Sequence, residues 1–453
     1  MAKPSKWIRI DRPFPLPSYV REALQKLDEA GFVAYVVGGS VRDFLLHRDA
    51  KDHDIATSAK PDEILELFPN SVTVGKSFGV LKVLIPGIDH PLEIASFRED
   101  LEYKDHRHPQ GVRYSGPIED AVRRDFTINA LFYDAKTSRI LDAVGGMDDL
   151  KRRLVKAIGQ PELRFKEDAL RLLRAARFTT SLDFILDDET AKAVRARAKL
   201  VSSVSAERVR DEMNGMLQGG RPAQAFELLS RLGILKLILP EIEAMKGVKS
   251  PVQYEGDVWK HALKIIDTYN KQNPKRSLTE CWAVVLHNVG KVIAAERSGG
   301  KNFNEHEIEA ARIARSVCDR IKLSRAEADE VIALVGDQLK FRDAFKMREA
   351  TLQRFVREPH FEKLIKIHRA EAMASDGNLA FYEFTLAKFN EYKKSLETES
   401  SPKLLDGNDL IQLGLRPGKE FSEILKNVED LTFERKLHSK EEALEYVVKN
   451  FVK

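Results

Sequence analysis

The sequence predicts an α+β fold: a head built on a mixed sheet, followed by an elongated all-α neck, body and tail. Up to about residue 150, short apolar or alternating stretches of strand length alternate with helix-like stretches. From about residue 160 onward, RFKEDALRLLRAARF, SAERVRDEMNGML and PAQAFELLSRLGIL place apolar residues at three- and four-residue intervals, and strand signals nearly vanish. A chain of 453 residues also exceeds what one hydrophobic core supports, so several domains are expected. The predicted division is 1–150 (head), 151–220 (neck), 221–395 (body) and 396–453 (tail). Punctuation supports it at the Gly145-Gly146 turn, at MKGVKSP (245–251) and at SLETESSPK (395–403).

Taken in order, strands are expected at 33–37, 53–56, 72–75, 79–85, 91–97 and 128–133. The first, with Ala34 to Val37 as its apolar run, stops at Gly38-Gly39, and Val41 to His47 then reads as a helix. Two glycines between strand and helix let backbone N–H groups approach a ligand, and a helix N-terminus adds partial positive charge, so this junction suits phosphate. Ser40 adds a hydroxyl. On the second strand, Asp52 and Asp54 at i and i+2 point to the same face. Two carboxylates on one face repel unless a cation lies between them. Mg²⁺ is the natural cofactor, since it binds through one or two carboxylates while phosphates and waters complete its octahedron. Glu93, in the alternating stretch HPLEIASF, is the candidate third acid from a neighbouring strand.

Composition sets limits. With 32% charged and 43% hydrophobic residues the chain looks like an ordinary soluble protein. A net charge of +4 is small, so any nucleic-acid surface must be a local patch. Lys151-Arg152-Arg153 and the cluster Arg195, Arg197, Lys199 are the candidates. Cys281 and Cys318 alone support neither a disulfide framework nor a CxxC zinc site, which points to the cytoplasm. The N-terminus lacks a continuous apolar segment and no run approaches the roughly 18 apolar residues that span a bilayer, so no membrane partner is expected. Oligomeric state is not legible in the sequence.

In the order of its motifs the chain resembles the class II nucleotidyltransferases that build or repair the CCA end of tRNA, together with their bacterial poly(A) polymerase relatives. The residues that carry this are Gly38, Gly39, Arg42 and Asp43 (GGxxRD), then Asp52 and Asp54 (DxD), and the loop RxDLEYKDHRHP with Glu99 in its variable place. After them come Arg123-Arg124-Asp125, the turn from Asp142 to Leu150, KEDALRLLRAARF, and the stretch from Ser205 to Met213. The resemblance implies that Asp52, Asp54 and Glu93 hold Mg²⁺ for in-line attack of an RNA 3′-hydroxyl on the α-phosphate of CTP or ATP. It makes tRNA the partner and gives nucleotide contacts to Glu167, Asp168, Arg171 and Arg174. Asp168 and Arg171, at i and i+3 on one helix, offer a carboxylate and a guanidinium that match the edges of cytosine and adenine but not of uracil or guanine.

Arg123 and Arg124 suit the triphosphate or ribose, with Asp125 orienting one of them and Asn129 reaching the sugar. Arg42 suits either the triphosphate or a pair with Asp43 or Asp54. The loop Arg98 to Pro109 is rich in charge and poor in apolar anchors, so it is expected to move. Bacterial poly(A) polymerases of this class carry a doubly basic signature where VGKSFGVLKV has Ser77, which favours a tRNA enzyme. Complete CCA addition and addition of the terminal A alone remain open.

A reading of another class comes from EGDVWKHALKIID, VVLHNVGK and FNEHE, which resemble the HD phosphohydrolase fold with His261, His287 and His306 in order. Asn288 stands where the motif's aspartate belongs, and Gln338 where a further histidine would fall. A neutral amide is a poor substitute for an anionic ligand, so a retired scaffold is expected there.

Overall fold

The computed structural model describes residues 6–50, 52–73, 79–88, 90–101, 111–250, 256–398, 404–434 and 436–452. Most of the charged loop (102–110) and the stretch containing Ser77 lie outside them. The chain divides into two compact units, Met1–Pro240 and Glu241–Lys453.

The first unit opens with β1 (Lys6–Arg9), α1 (Ser18–Glu29), β2 (Ala34–Val37), α2 (Gly39–Leu45), β3 (Asp54–Thr57), α3 (Pro61–Leu67) and β4 (Ser71–Thr73). There follow β5 (Val80–Val83), β6 (Leu92–Ser96), β7 (Arg98–Asp100), β8 (Val112–Tyr114), α4 (Pro117–Val122), β9 (Leu131–Asp134) and β10 (Arg139–Asp142). Eight strands form one sheet in the order β1-β10-β9-β2-β3-β6-β5-β4. Its pairs are antiparallel except β3 with β6, which is parallel, so the sheet is mixed as expected.

Register places the site. One cross-strand row runs Lys82, Glu93, Asp54, Val37, Phe132, Leu141 and Trp7. Its polar half carries two of the predicted acids. Val37, Phe132 and Leu141 belong to a core with Ala56, Phe97, Ala121, Ala130, Ala143 and Ile158. Burying these side chains against the sheet fixes the strand that presents Asp54.

Three local expectations are corrected. Asp52 is not on the strand; it lies in the coil preceding β3, and Asp54 is the first strand residue. The expected strand at 128–133 begins later, because Thr127–Asn129 form a 3₁₀ turn before β9. The expected single helix through 167–178 is broken. α5 (Gly146–Lys151) is followed by α6 (Pro161–Glu167), and Asp168 then adopts an extended backbone (φ −135°, ψ 107°) before α7 (Leu170–Leu182). α8 (Asp188–Arg197), α9 (Ala206–Leu217) and α10 (Pro222–Arg231) follow.

The second unit is helical. Helices span Val258–Gln272, Leu278–Leu286, Gly290–Ser298, His306–Arg320, Arg325–Gly336, Glu349–Val356, Phe361–Ala374 and Ala380–Thr398, followed by Gly407–Gln412, Lys419–Phe433 and Lys440–Phe451. Capping boxes of Ser277 with Glu280 and Ser324 with Glu327 start two of them. Phe341, Phe355 and Phe361 pack edge to face or tilted within 5.9 Å at its core. The last three helices close over Leu410, Ile424, Val428, Ala443 and Val447.

Candidate active site

A cavity of about 810 Å³ opens in the first unit. Gly38, Gly39, Ser40, Arg42, Asp52, Asp54, Arg123, Arg124, Asp125, Asn129, Asp168, Arg171 and Arg174 all line it. Glu93 and Glu167 do not line it, yet each touches a residue that does or sits beside one.

Gly38 makes the junction possible. It has φ 78° and ψ −137°, a backbone that side chains rarely adopt. A β-carbon there would lie 3.4 Å from Asp54 Oδ2 and 3.7 Å from Arg124 Nη1. Glycine, a carboxylate and a guanidinium therefore meet at one point. Ser40 is buried, and its hydroxyl donates to the Val37 carbonyl at 3.3 Å.

Glu93 is the direct parallel-strand neighbour of Asp54, and Lys82 pairs with it at 3.2 Å. Asp54 is pushed up to about 6, first by burial and then by Glu93 and Asp52, with Arg124 pulling it the other way. Burial, reinforced by the neighbouring acids, thus disfavours the ionised form of Asp54. Among the described residues no three histidine, cysteine or acidic side chains converge into a metal cage. Asp52 and Asp54 nevertheless line the same cavity, and two carboxylates suit a hard divalent metal that takes few protein ligands and completes its shell with substrate and water.

The arginine pair is held by a different acid from the one expected. Asp120, the fourth residue of α4, accepts from Arg123 Nε and Nη2 at 2.9 and 2.6 Å and from Arg124 Nε and Nη2 at 3.1 and 3.0 Å. Asp125 instead accepts from Arg174 Nε at 2.7 Å and from Asn129 Nδ2 at 3.1 Å. Burial alone would raise the Asp125 carboxyl, but Arg174 and then Arg171, with hydrogen bonds from Arg174 and Asn129, bring it down to about 2. Arg42 settles between its two expectations: it donates to Asp43 at 2.8 Å and to Asn129 Oδ1 at 2.7 Å while facing the cavity.

Asp168 and Arg171 do not pair with each other. Asp168 Oδ1 accepts the Leu170 N–H at 3.1 Å, capping α7, and Oδ2 accepts from Arg208 Nη2 on α9 at 2.9 Å. Arg171 donates to Glu167 Oε2 at 2.8 Å and to the Arg123 carbonyl at 2.8 Å. Each is thus locked by other partners and turned to the same cavity. An isolated i,i+3 ion pair is not what this spacing encodes.

Sequence reasoning missed Asp120, Arg177, Phe178 and Arg208. The Phe178 ring has the guanidinium groups of Arg42, Arg174 and Arg177 at 5.1, 5.1 and 4.4 Å. Arg177 is anchored by Glu212 at 2.6 Å. The continuing three-residue spacing Arg171, Arg174, Arg177 was the available signal for the last arginine.

In the second unit, His261 Nε2 and His287 Nε2 lie 3.2 and 2.9 Å from the two oxygens of Glu371, and the Lys291 ammonium is 3.9 Å away. Asn288 Nδ2 is 2.7 Å from His287 Nε2. Burial would raise Glu371, but Lys291 and the two imidazoles hold it well below the usual carboxylate range. His306 points elsewhere, its Nδ1 2.8 Å from the Phe303 carbonyl. Gln338 is buried, and its Nε2 has no hydrogen-bond partner among the described residues. A protein carboxylate and ammonium sit among the histidines, an arrangement that offers a divalent cation little.

Residues 34–156 match the family described as Poly A polymerase head domain, and residues 183–246 match the one described as Probable RNA and SrmB- binding site of polymerase A. The CCA-adding enzyme of Bacillus licheniformis is 36% identical over 332 residues, which cover 68% of this chain and 80% of that protein. The chain belongs to the CCA-adding enzyme family. A further CCA-adding enzyme, from a Geobacillus species, is 42% identical over 218 residues, 48% of this chain, and the matched stretch spans about half of that relative's length, 53%. The solved CCA-adding enzyme of Bacillus stearothermophilus in complex with CTP aligns with a TM-score of 0.72 at 26% identity, covering 95% of this chain and 96% of that one. The CCA-adding enzyme of Thermotoga maritima complexed with tRNA shares the fold at a TM-score of 0.62 and 20% identity, over 99% of each chain. No helix among the described residues is long and apolar enough to cross a membrane.

Proposed function

We propose that this chain adds C, C and A to the 3′ end of tRNA from CTP and ATP, without a nucleic-acid template, releasing pyrophosphate. The observation that carries the reading is one cavity that gathers Asp52, in the coil before β3, and Asp54, on β3, together with Asp168 and Arg171 at the start of α7. The first pair serves phosphoryl transfer; the second serves choice of base. The CTP and tRNA complexes of related enzymes support these substrates.

Asp52 and Asp54 would hold Mg²⁺, which when bound lowers the barrier by activating the 3′-hydroxyl and neutralising the departing pyrophosphate. The protein's own groups do the rest. Arg124, poised beside Gly38 and Asp54, meets the triphosphate, and Arg42 and Arg123 add guanidinium charge from the same wall. Asp168, oriented by the Arg208 Nη2 donor, presents a carboxylate acceptor to the exocyclic amine of cytosine or adenine. Arg171 donates to the adjacent ring acceptor, while uracil and guanine present the opposite pattern.

Exposed Lys151, Arg152 and Arg153, with Arg195 and Lys199, supply a basic RNA surface, which suits the RNA-binding description of residues 183–246. The head, neck, body and tail at 1–150, 151–220, 221–395 and 396–453 would divide catalysis, base choice and tRNA binding among them, in the cytoplasm.

The test offers the protein tRNA transcripts ending before CCA, after C and after CC, with CTP and ATP supplied separately. Completion of CCA on the first transcript is expected. Extension of the last alone, with ATP, would replace the proposal by terminal A addition, and long A tails on unrelated RNA would replace it by poly(A) synthesis.

A further inference from the structure

We infer that Asp120 is a positioning residue for the nucleotide, acting through Arg123 and Arg124 rather than by touching substrate. The inference rests on the proposed reaction. The Asp120 side chain is 1% exposed and lies outside the cavity lining, while both arginines line it. Oδ1 takes the Nε and Nη2 edge of Arg123, and Oδ2 takes the same edge of Arg124. The Arg98 backbone N–H adds a third donor to Oδ1 at 3.3 Å.

Two fork-on pairs from one carboxylate fix the orientation of two adjacent guanidinium groups. The geometry leaves their Nη1 atoms unengaged by Asp120. Arg124 Nη1 is the one that comes up to the Gly38 turn beside Asp54, and the face of the same guanidinium packs over the Phe132 ring at 4.9 Å. Edge, face and remaining donor of Arg124 are thereby assigned to Asp120, the sheet and the cavity. Arg123 Nη1 lies 3.9 Å from Asp100 Oδ2, so its position is set from two sides.

Charge supports the same conclusion. Burial would raise the Asp120 carboxyl, but Arg124 and Arg123 and their hydrogen bonds bring it below the usual range, so it is an anion at neutral pH. Removing it would leave two neighbouring cations to repel each other and to sample many rotamers. Each encounter with a triphosphate would then have to order them first. The expected loss is therefore in nucleotide affinity, not in the chemical step.

The experiment compares wild type, Asp120→Asn and Asp120→Glu as full-length chains. It measures CTP affinity by calorimetric titration, KM and kcat for CTP on tRNA lacking CCA, tRNA affinity, and melting temperature. Asp120→Asn is expected to weaken CTP binding and raise its KM about tenfold to hundredfold, with tRNA affinity unchanged and kcat within about threefold. Asp120→Glu, which keeps the charge but displaces both forks, should fall in between, and it carries the prediction if the asparagine variant does not fold. A lowered melting temperature with CTP affinity and KM unchanged would overturn the inference. Should the wild type extend no tRNA, the reaction fails as proposed, while the CTP titrations still decide the role of Asp120.

Discussion

Replacing Asp54 by asparagine should destroy activity and stabilise the metal-free protein. The carboxyl is raised from 3.8 to about 6, chiefly by burial and by Glu93. An acid whose pKa is higher in the folded state binds more protons when folded. Stability therefore falls as pH rises from about 4 to about 6, and the full penalty is present at neutral pH. Roughly two pKa units correspond to about 3 kcal/mol, and partial exposure of Asp54 with solvent screening reduces this to about 1–2 kcal/mol. For a unit of this size that is a rise in melting temperature of about 2–8 °C. Calorimetric melts in chelator at about pH 7.5 and about pH 4 give the comparison. The variant should melt higher at the first pH and nearly level with wild type at the second. Added Mg²⁺ should raise the wild type but not the variant. A variant that melts at or below wild type near pH 7.5, or that incorporates CTP normally, would refute the reasoning.

Three further outcomes are expected. Arg171→Ala removes the proposed charge-assisted base contact and should lower kcat/KM for both CTP and ATP about tenfold to hundredfold, with more GTP and UTP misincorporated in competition assays; unchanged selectivity would count against the base-reading role. Gly38→Ala forces a side chain onto a φ 78°, ψ −137° backbone and should cost about 1–3 kcal/mol of stability along with most of the activity, measured by melting and incorporation. Glu371→Gln leaves His261, His287 and Lys291 around a neutral group and should destabilise by about 2–4 kcal/mol, seen by denaturant titration. Metal-dependent phosphodiester hydrolysis that survives Asp52→Ala and disappears in His287→Ala would restore the hydrolase alternative.

Much of the head was legible because glycine punctuates it. The strand-turn-helix from Ala34 onward follows from an apolar run stopped by Gly38-Gly39, and strand alternation in HPLEIASF placed Glu93 correctly beside Asp54. What escaped was tertiary. Asp168 sits within a continuous helical pattern, but its carboxylate caps the next helix and binds Arg208, forty positions on, which outweighs local propensity. Asp125 was assigned to the arginines by adjacency, whereas Asp120 precedes them by three and four residues, the separation at which side chains on a helix meet. β1 was not foreseen, since four mostly exposed residues gain strand structure only by pairing with β10, itself not predicted.

The single parallel pairing in the sheet also sets an order of assembly. Hairpin β5–β6 and the antiparallel pair β2–β3 close over short stretches, but bringing β3 against β6 means gathering the whole chain from Asp54 to Glu93 before any ladder bond compensates the lost entropy. The two carboxylates then meet late, when most of the sheet can already oppose their repulsion. Pulse-labelled hydrogen exchange during refolding should find the β5 and β6 amides protected before those joining β3 to β6, so the chain would acquire a folded scaffold before it acquires a working centre.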